Sequence, residues 1–160
     1  MRDVLVLGST GNTGGRVLRQ LRDRGVPARA ATRRPTQPGQ VWFGWAGRST
    51  QQPGWAVLRP SWFMQTFTGD HLVARTVRDG EIVTATGDAR VGFVDATDFA
   101  AVAVRALTDA EPHNTEHAAR HAAMDDAIRE GSEDRVTDTV ERVTGRPARD
   151  FRTFANEEIR

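Results

Sequence analysis

Residues Val4-Leu5-Val6-Leu7 run without polar interruption into Gly8-Ser9-Thr10-Gly11-Asn12-Thr13-Gly14, an apolar strand followed by G-x-x-G-x-x-G. Nothing else in the chain limits its fold so tightly. Four apolar residues without alternation suit a strand buried on both faces of a parallel sheet. Gly8 is expected to let the chain turn sharply where a Cβ would clash. Gly11 would let backbone approach a bulky anion, and Gly14 would let the next helix pack close to the strand. The spacing predicts that helix over Arg16–Arg24, with Val17, Leu18 and Leu21 on one face. Gly25 stops it, and a second strand follows at Pro27–Thr32. The helix start offers free N–H groups and the positive end of the dipole to the loop, which suits a pyrophosphate. Gly8, Ser9, Thr10, Gly11, Asn12, Thr13 and Gly14 are therefore the candidate dinucleotide cradle.

The second strand ends in Thr32-Arg33-Arg34-Pro35. A dinucleotide fold selective for NAD usually places Asp or Glu here, to accept hydrogen bonds from the adenosine ribose. No acid stands at this position. Arg33 and Arg34 offer charge and forked donors that suit a 2′-phosphate, which predicts NADP(H) rather than NAD(H). The other reading is two solvated arginines in a turn before proline.

At 160 residues the length prior is one domain. Net charge is +1, from 22 basic and 21 acidic residues interspersed along the chain. That balance gives no electrostatic case for nucleic acid or an anionic membrane. The apolar start is too short for a signal peptide or a membrane span, so the cytoplasm is the expected location. With no cysteine, disulfides, thiolate catalysis and cysteine-ligated metal are excluded. All 22 basic residues are arginine, and there is no tyrosine.

Three further blocks carry a family resemblance together with Val4–Pro35. They are Val41-Trp42-Phe43-Gly44-Trp45; Trp55-Ala56-Val57-Leu58-Arg59-Pro60-Ser61-Trp62-Phe63-Met64-Gln65-Thr66-Phe67; and Gly80–Val83 through Gly87-Asp88 with Phe93-Val94-Asp95-Ala96-Thr97-Asp98-Phe99-Ala100-Ala101-Val102-Ala103. On these blocks the chain resembles the NmrA-like group of atypical short-chain dehydrogenase/reductases. Within it, the chain is most similar to the branch of ergot-alkaloid iminium reductases and their bacterial relatives. Beyond Glu111 the likeness fades, returning weakly at Val143–Pro147 and at Glu157-Glu158. The resemblance implies an α/β fold: a Rossmann-like parallel sheet flanked by helices. It also implies hydride transfer from NADPH to a small cyclic or aromatic electrophile, with Trp62, Phe63 and Phe67 near the substrate. Ordinary short-chain dehydrogenases use a Tyr-x-x-x-Lys pair as proton donor, and that pair cannot exist here. An iminium or quinone therefore fits better than a ketone, because hydride turns an iminium into a neutral amine with no proton needed at that moment. A non-catalytic NADP(H)-binding sensor or regulator, or a shortened relic without activity, is the alternative. No residue is singled out as catalytic.

Only 22 residues separate Thr32 from Trp55, where family members fit several βαβ units of roughly 30 residues each. The expectation is thus a single shortened domain over 1–160: a dinucleotide-binding βαβ at 1–35, a strand/helix region at 55–110 and a helical portion at 111–160 within a small α+β C-terminal part. Residues 36–54 read as loop around a strand at Val41–Phe43. Strands are predicted at Trp55–Arg59, Glu81–Ala85 and Arg90–Val94, with a turn or short helix at Ser61–Phe67. Helices are predicted at Asp70–Arg78 with Leu72, Val73 and Val77 inward, and at Thr97–Leu107, capped by Asp95 or Thr97, with Phe99, Val102, Ala103 and Ala106 as its face. A last helix is expected at Arg135–Val143, with Val136, Val140 and Val143 spaced to pack.

All four tryptophans fall between residues 42 and 62, beside Phe43, Phe63, Met64 and Phe67. They can be core, a self-association surface joining a homodimer, or one wall of a substrate pocket. His113, His117, His121 and Asp125 share a helical face, but their polar surroundings suit a solvated stripe, and no metal is expected. Arg59 can pair with Asp95 or Asp98, or neutralise a phosphate. Asp125-Asp126 and Glu157-Glu158 read as solvated helix surface.

Overall fold

The computed structural model describes residues 4–32, 34–36, 38–42, 58, 60–82, 88–109, 131 and 134–159. The chain divides into two compact units, Met1–Leu58 with Phe99–Thr115, and Arg59–Asp98 with Glu116–Arg160.

The first unit is built on β1 (Val4–Leu7), α1 (Asn12–Asp23), β2 (Ala28–Thr32) and β3 (Val41–Trp42). The three strands form one parallel sheet in the order β1-β2-β3, with Val4 opposite Ala28 and Ala31 opposite Val41. A parallel pair needs a crossover, and α1 supplies it. Val17, Leu18 and Leu21 of α1 are buried, as their spacing predicts, against Val6 and Ala30. Ala100 and Val104 of α3 (Ala96–Thr108) complete this core. The inner line of α3 differs from the predicted face: Ala96, Ala100, Ala101 and Val104 are buried, while Phe99, Val102, Ala103 and Ala106 are half-buried, Ala103 alone of these packing against the core as predicted. Alanines admit the closest approach of backbone to a neighbour, so the small residues take the inner line.

The second unit holds β4 (Trp62–Phe63), a 3₁₀ turn (Met64–Phe67), α2 (Leu72–Arg78), β5 (Phe93–Val94), α4 (Thr139–Thr144) and α5 (Phe151–Glu158). β4 and β5 pair in parallel, Trp62 with Phe93 and Phe63 with Val94. Phe154 of α5 is completely buried. The architecture is therefore α/β with parallel strands and helices, as the resemblance implies.

Several boundaries move. α1 starts at Asn12, one turn before the predicted Arg16, because Gly14 and Gly15 are helical despite their low propensity. Trp62-Phe63 is strand rather than turn. α2 begins after His71, and Leu72 is 66% exposed while Ala74 is buried. The predicted strand at Arg90–Val94 shrinks to Phe93–Val94. Glu81 and Ile82 are irregular, and Leu58 belongs to no strand. The last predicted helix begins at Thr139 instead of Arg135, leaving Val136 98% exposed. The Arg135 carbonyl lies against Gly92, where a Cβ would come within 2.9 Å of it. Phe43, the rest of Trp55–Arg59 and of Glu81–Ala85, and His113, His117, His121 and Asp125 fall outside the described residues.

Candidate functional site

The loop from β1 to α1 is shaped by its glycines. Gly8 has φ +67°, a left-handed backbone that side chains disfavour, although a Cβ there would meet nothing within 4 Å. Its requirement is conformational, which corrects the expected steric clash. Gly14 is the steric glycine: a Cβ would sit 2.3 Å from the Gly8 carbonyl oxygen and 2.7 Å from its carbon. Gly11 is tight but tolerable, at 3.3 Å from the same oxygen. Its own N–H donates to that oxygen at 2.9 Å, folding the loop on itself.

The first α-helical bond runs from the Gly15 N–H to the Gly11 carbonyl, 3.0 Å. Ahead of it stand the amides of Asn12, Thr13 and Gly14, which a helix cannot satisfy internally. Gly11 caps without a side chain, and the first turn carries no acid. The Ser9 hydroxyl oxygen is buried and has no hydrogen-bond partner. A buried hydroxyl left unpaired costs about 1–3 kcal/mol, which a ligand oxygen would remove. Arg16 turns back over this end: its Nη1 donates to the Asn12 carbonyl at 2.9 Å and to Asn12 Oδ1. The loop thus presents amide donors and an orphaned hydroxyl beside a guanidinium, a donor set that fits a diphosphate.

At the end of β2, Arg34 is exposed, and its main-chain N–H donates to Thr32 Oγ1 at 3.3 Å. Arg33 lies outside the described residues.

In the second unit Trp62, Phe67, Phe93 and Phe151 pack edge to face or tilted. Ring centroids are 6.5 Å apart for Trp62–Phe93 and 5.2 Å for both Phe67–Phe93 and Phe67–Phe151. Phe63 is half-buried, and Trp62 Nε1 is buried without a partner.

The sequence offers part of the polar centre of this unit: Asp95 as a cap of α3, which accepts from the Thr97 N–H at 2.6 Å, and Asp95 and Asp98 as partners of an arginine. Asp95 and Asp98 are each 1% exposed. Arg149 Nη1 donates to Asp95 Oδ2 at 2.7 Å and to Glu158 Oε1 at 2.7 Å, and its Nη2 reaches Glu157. The Arg149 main-chain N–H donates to Asp98 Oδ2 at 2.6 Å, and Arg146 pairs with Asp98 Oδ1 at 2.8 Å. Gln65 completes the cluster, its Nε2 donating to Asp95 Oδ1 at 3.2 Å and its Oε1 accepting from the Ala96 N–H at 2.9 Å. Burial pushes the Asp95 carboxyl up, but the Thr97 N–H, the Arg149 guanidinium and the Gln65 amide outweigh it and hold the group below its usual value. Bonds to Glu158 and Asp95 push the Arg149 guanidinium up. Glu157 and Glu158 lie on exposed helix surface, as expected, and from there both pair with Arg149. Among the described residues the cations on Asp95 and Asp98 are Arg149 and Arg146; Arg59, the expected partner, lies outside them. The signal was available: a D-x-x-D pair opening a helix requires cations once buried, and Arg146 and Arg149 follow the Gly145 stop.

Among the described residues no group of three or more metal-ligating side chains lies together, and no helix is long and apolar enough to cross a membrane.

No protein-family model matches the chain. Its curated relatives include an oxidoreductase, YesF, of Bacillus subtilis (strain 168), 35% identical over 151 residues, covering 64% of this chain and 53% of YesF. An agroclavine dehydrogenase of Claviceps fusiformis is 26% identical over 153 residues, covering 64% and 53%. An NAD(P)H azoreductase of Xenophilus azovorans is 38% identical over 82 residues, covering 49% and 27%. The similarity is thus to oxidoreductases, including ergot-alkaloid enzymes, as the sequence blocks imply. The chain spans about half the length of the curated relatives it matches. A match over 151 positions that takes in 64% of a 160-residue chain leaves residues of YesF without a counterpart within the matched stretch.

Proposed function

We propose that the chain binds NADP(H) at the β1–α1 loop and serves as an oxidoreductase delivering hydride to a small cyclic or aromatic electrophile. The observation that carries this reading is the opening of α1: three amide donors, no capping side chain, no acid, and a buried Ser9 hydroxyl without a partner. The relatives, one of them an NAD(P)H azoreductase, supply independent support for a nicotinamide dinucleotide. When bound, the nicotinamide would supply hydride. The amides of Asn12, Thr13 and Gly14 would hold the diphosphate, and the Ser9 hydroxyl would donate to one of its oxygens. Gly14 would keep α1 close enough to β1 for those donors to converge. Arg34, with Arg33, would favour the 2′-phosphate by charge and forked donors. Without tyrosine or lysine, the chain suits an iminium, quinone or azo acceptor. Hydride addition to an iminium carbon yields a neutral amine and needs no concerted proton.

The second reading is a dinucleotide-binding module without turnover. The residues of YesF that lack a counterpart here favour it, as does the missing Tyr-Lys pair.

Calorimetric titration with NADPH, NADP⁺ and NADH, followed by mixing with NADPH and a panel of cyclic iminium ions, quinones and azo dyes, separates the two. Tight NADPH binding with consumption of reduced nicotinamide is the expected result. Binding without consumption would establish the module, and no heat with any dinucleotide would overturn both readings. Arg34→Ala should weaken NADPH more than NADH; equal weakening would remove the case for NADP(H).

A further inference from the structure

We infer that Arg16 is a positioning residue for the diphosphate, acting through Asn12; this rests on the dinucleotide reading above. Arg16 lies on the fifth residue of α1, and a cation near a helix N-terminus opposes the macrodipole. It does not extend away from that end. Its Nη1 folds back to the Asn12 carbonyl at 2.9 Å and to Asn12 Oδ1. No acid in the first turn offsets the positive end.

The chemistry of the amide then fixes a direction. A guanidinium carries donors and no acceptor, so the Asn12 side chain must turn its oxygen toward Arg16. The Nδ2 group, with two donors, is directed away from Arg16. Asn12 is exposed and opens α1, next to the unsatisfied amides of Thr13 and Gly14. Arg16 thereby selects the one amide rotamer that adds N–H donors to the anion cradle. It also supplies a positive charge within one helical turn of the diphosphate.

This role differs from that expected of Arg33 and Arg34. Those residues would discriminate NADPH from NADH, whereas Arg16 acts on what the two share. The test is calorimetry of the full chain with NADPH, NADH and ADP, alongside thermal unfolding. Arg16→Gln should weaken all three ligands by a similar factor, about ten- to hundredfold, through loss of the charge-assisted bond that orients Asn12 and of the nearby positive charge. Asn12→Asp is the sharper variant. An acid at this position suits both Arg16 and the helix dipole, so its melting temperature should equal or exceed the parent's. Yet it replaces donors with a carboxylate facing the diphosphate, so affinity for all three ligands should fall by about tenfold or more. A merely structural role for the pair would move stability and affinity together. If the parent binds and Asn12→Asp or Arg16→Gln binds equally well, the inference fails while the dinucleotide reading stands. If the parent itself binds none of the three, the dinucleotide reading has failed first.

Discussion

Among the described residues α1 and α3 each follow a strand, and they finish their first turns in opposite ways. At α3 the Asp95 carboxylate accepts from the Thr97 N–H at 2.6 Å, and Gln65 takes the Ala96 N–H. Asp98 adds an acid to the first turn, and Arg146 and Arg149 balance both carboxylates. The first two donors of this helix, the Ala96 and Thr97 N–H groups, are spent inside the protein. At α1 the cap is a glycine, the first turn has no acid, and a buried hydroxyl next to it has no partner. The same β–α junction thus serves as a structural lock in one case and an open donor set in the other. Damage to the lock should appear as lost stability, and damage to the open set as lost binding.

The largest effect is expected at Arg149. Arg149→Met leaves Asp95 buried without its guanidinium, and such broken pairs cost about 3–5 kcal/mol. It also frees Glu157 and Glu158, which tie α5 to this centre. Chemical denaturation should show a drop of that size, with loss of near-ultraviolet dichroism from the Trp62–Phe93–Phe151 cluster. A loss below about 1 kcal/mol would mean the cluster is not a lock.

Gly14→Ala comes next and breaks the other side of the comparison. Its Cβ would need the Gly8 carbonyl, 2.3 Å away, to shift. Overpacking of this kind costs about 1–3 kcal/mol. The loss of NADPH affinity should be out of proportion to that, because the displaced carbonyl belongs to the loop that aligns the donors. Intact binding by calorimetry would sink the open-donor account of α1.

Acid gives a smaller, graded effect with a defined sign. The Asp95 carboxyl in the folded state titrates below its usual value. Its stabilisation is therefore complete above the unfolded pKa of about 3.9 and is lost as pH falls through the lower folded value. Asp150 is shifted the same way by the hydroxyl and N–H of Thr153, so both groups act in one window. Melting temperature should be level from neutral pH down to about 4 and then decline. Asp95→Asn should flatten the decline beyond what Asp150→Asn achieves; equal flattening would deny Asp95 its special place.

Much of the first helix was legible because its signals are local. Strand, glycine loop and helix follow within 20 residues, and each glycine answers a nearby constraint. The carboxylates of the lock were legible as a cap and as ion-pair partners, but their cations were not, because the members are remote in sequence: Gln65, Asp95, Asp98, Arg149 and Glu158 meet only through tertiary packing. Pattern alone also misjudged inner faces. On α2 the apolar Leu72 is exposed and the small Ala74 is buried, since close packing selected size over hydropathy. On α3 alanines again took the inner line from Phe99 and Val102. The short strands β4 and β5 pair over two residues each, too few for a period to show.

Helix α2 is a third helix start and sharpens the comparison with the least effect. His71 Nδ1 accepts from the Val73 N–H at 3.3 Å, a long bond on an exposed turn. One weak cap places α2 between the open α1 and the finished α3. Histidine is a poor choice here beside aspartate, whose carboxylate both accepts the bond and suits the dipole. His71→Asp should therefore raise the melting temperature slightly, and His71→Ala should lower stability by about 0.5 kcal/mol, the low end for lost caps. Neither should alter dinucleotide affinity, because the His71 ring serves the first turn of α2 itself. A drop in NADPH binding with either variant would show that helix starts in this chain are coupled, and the division between lock and open site would have to be redrawn.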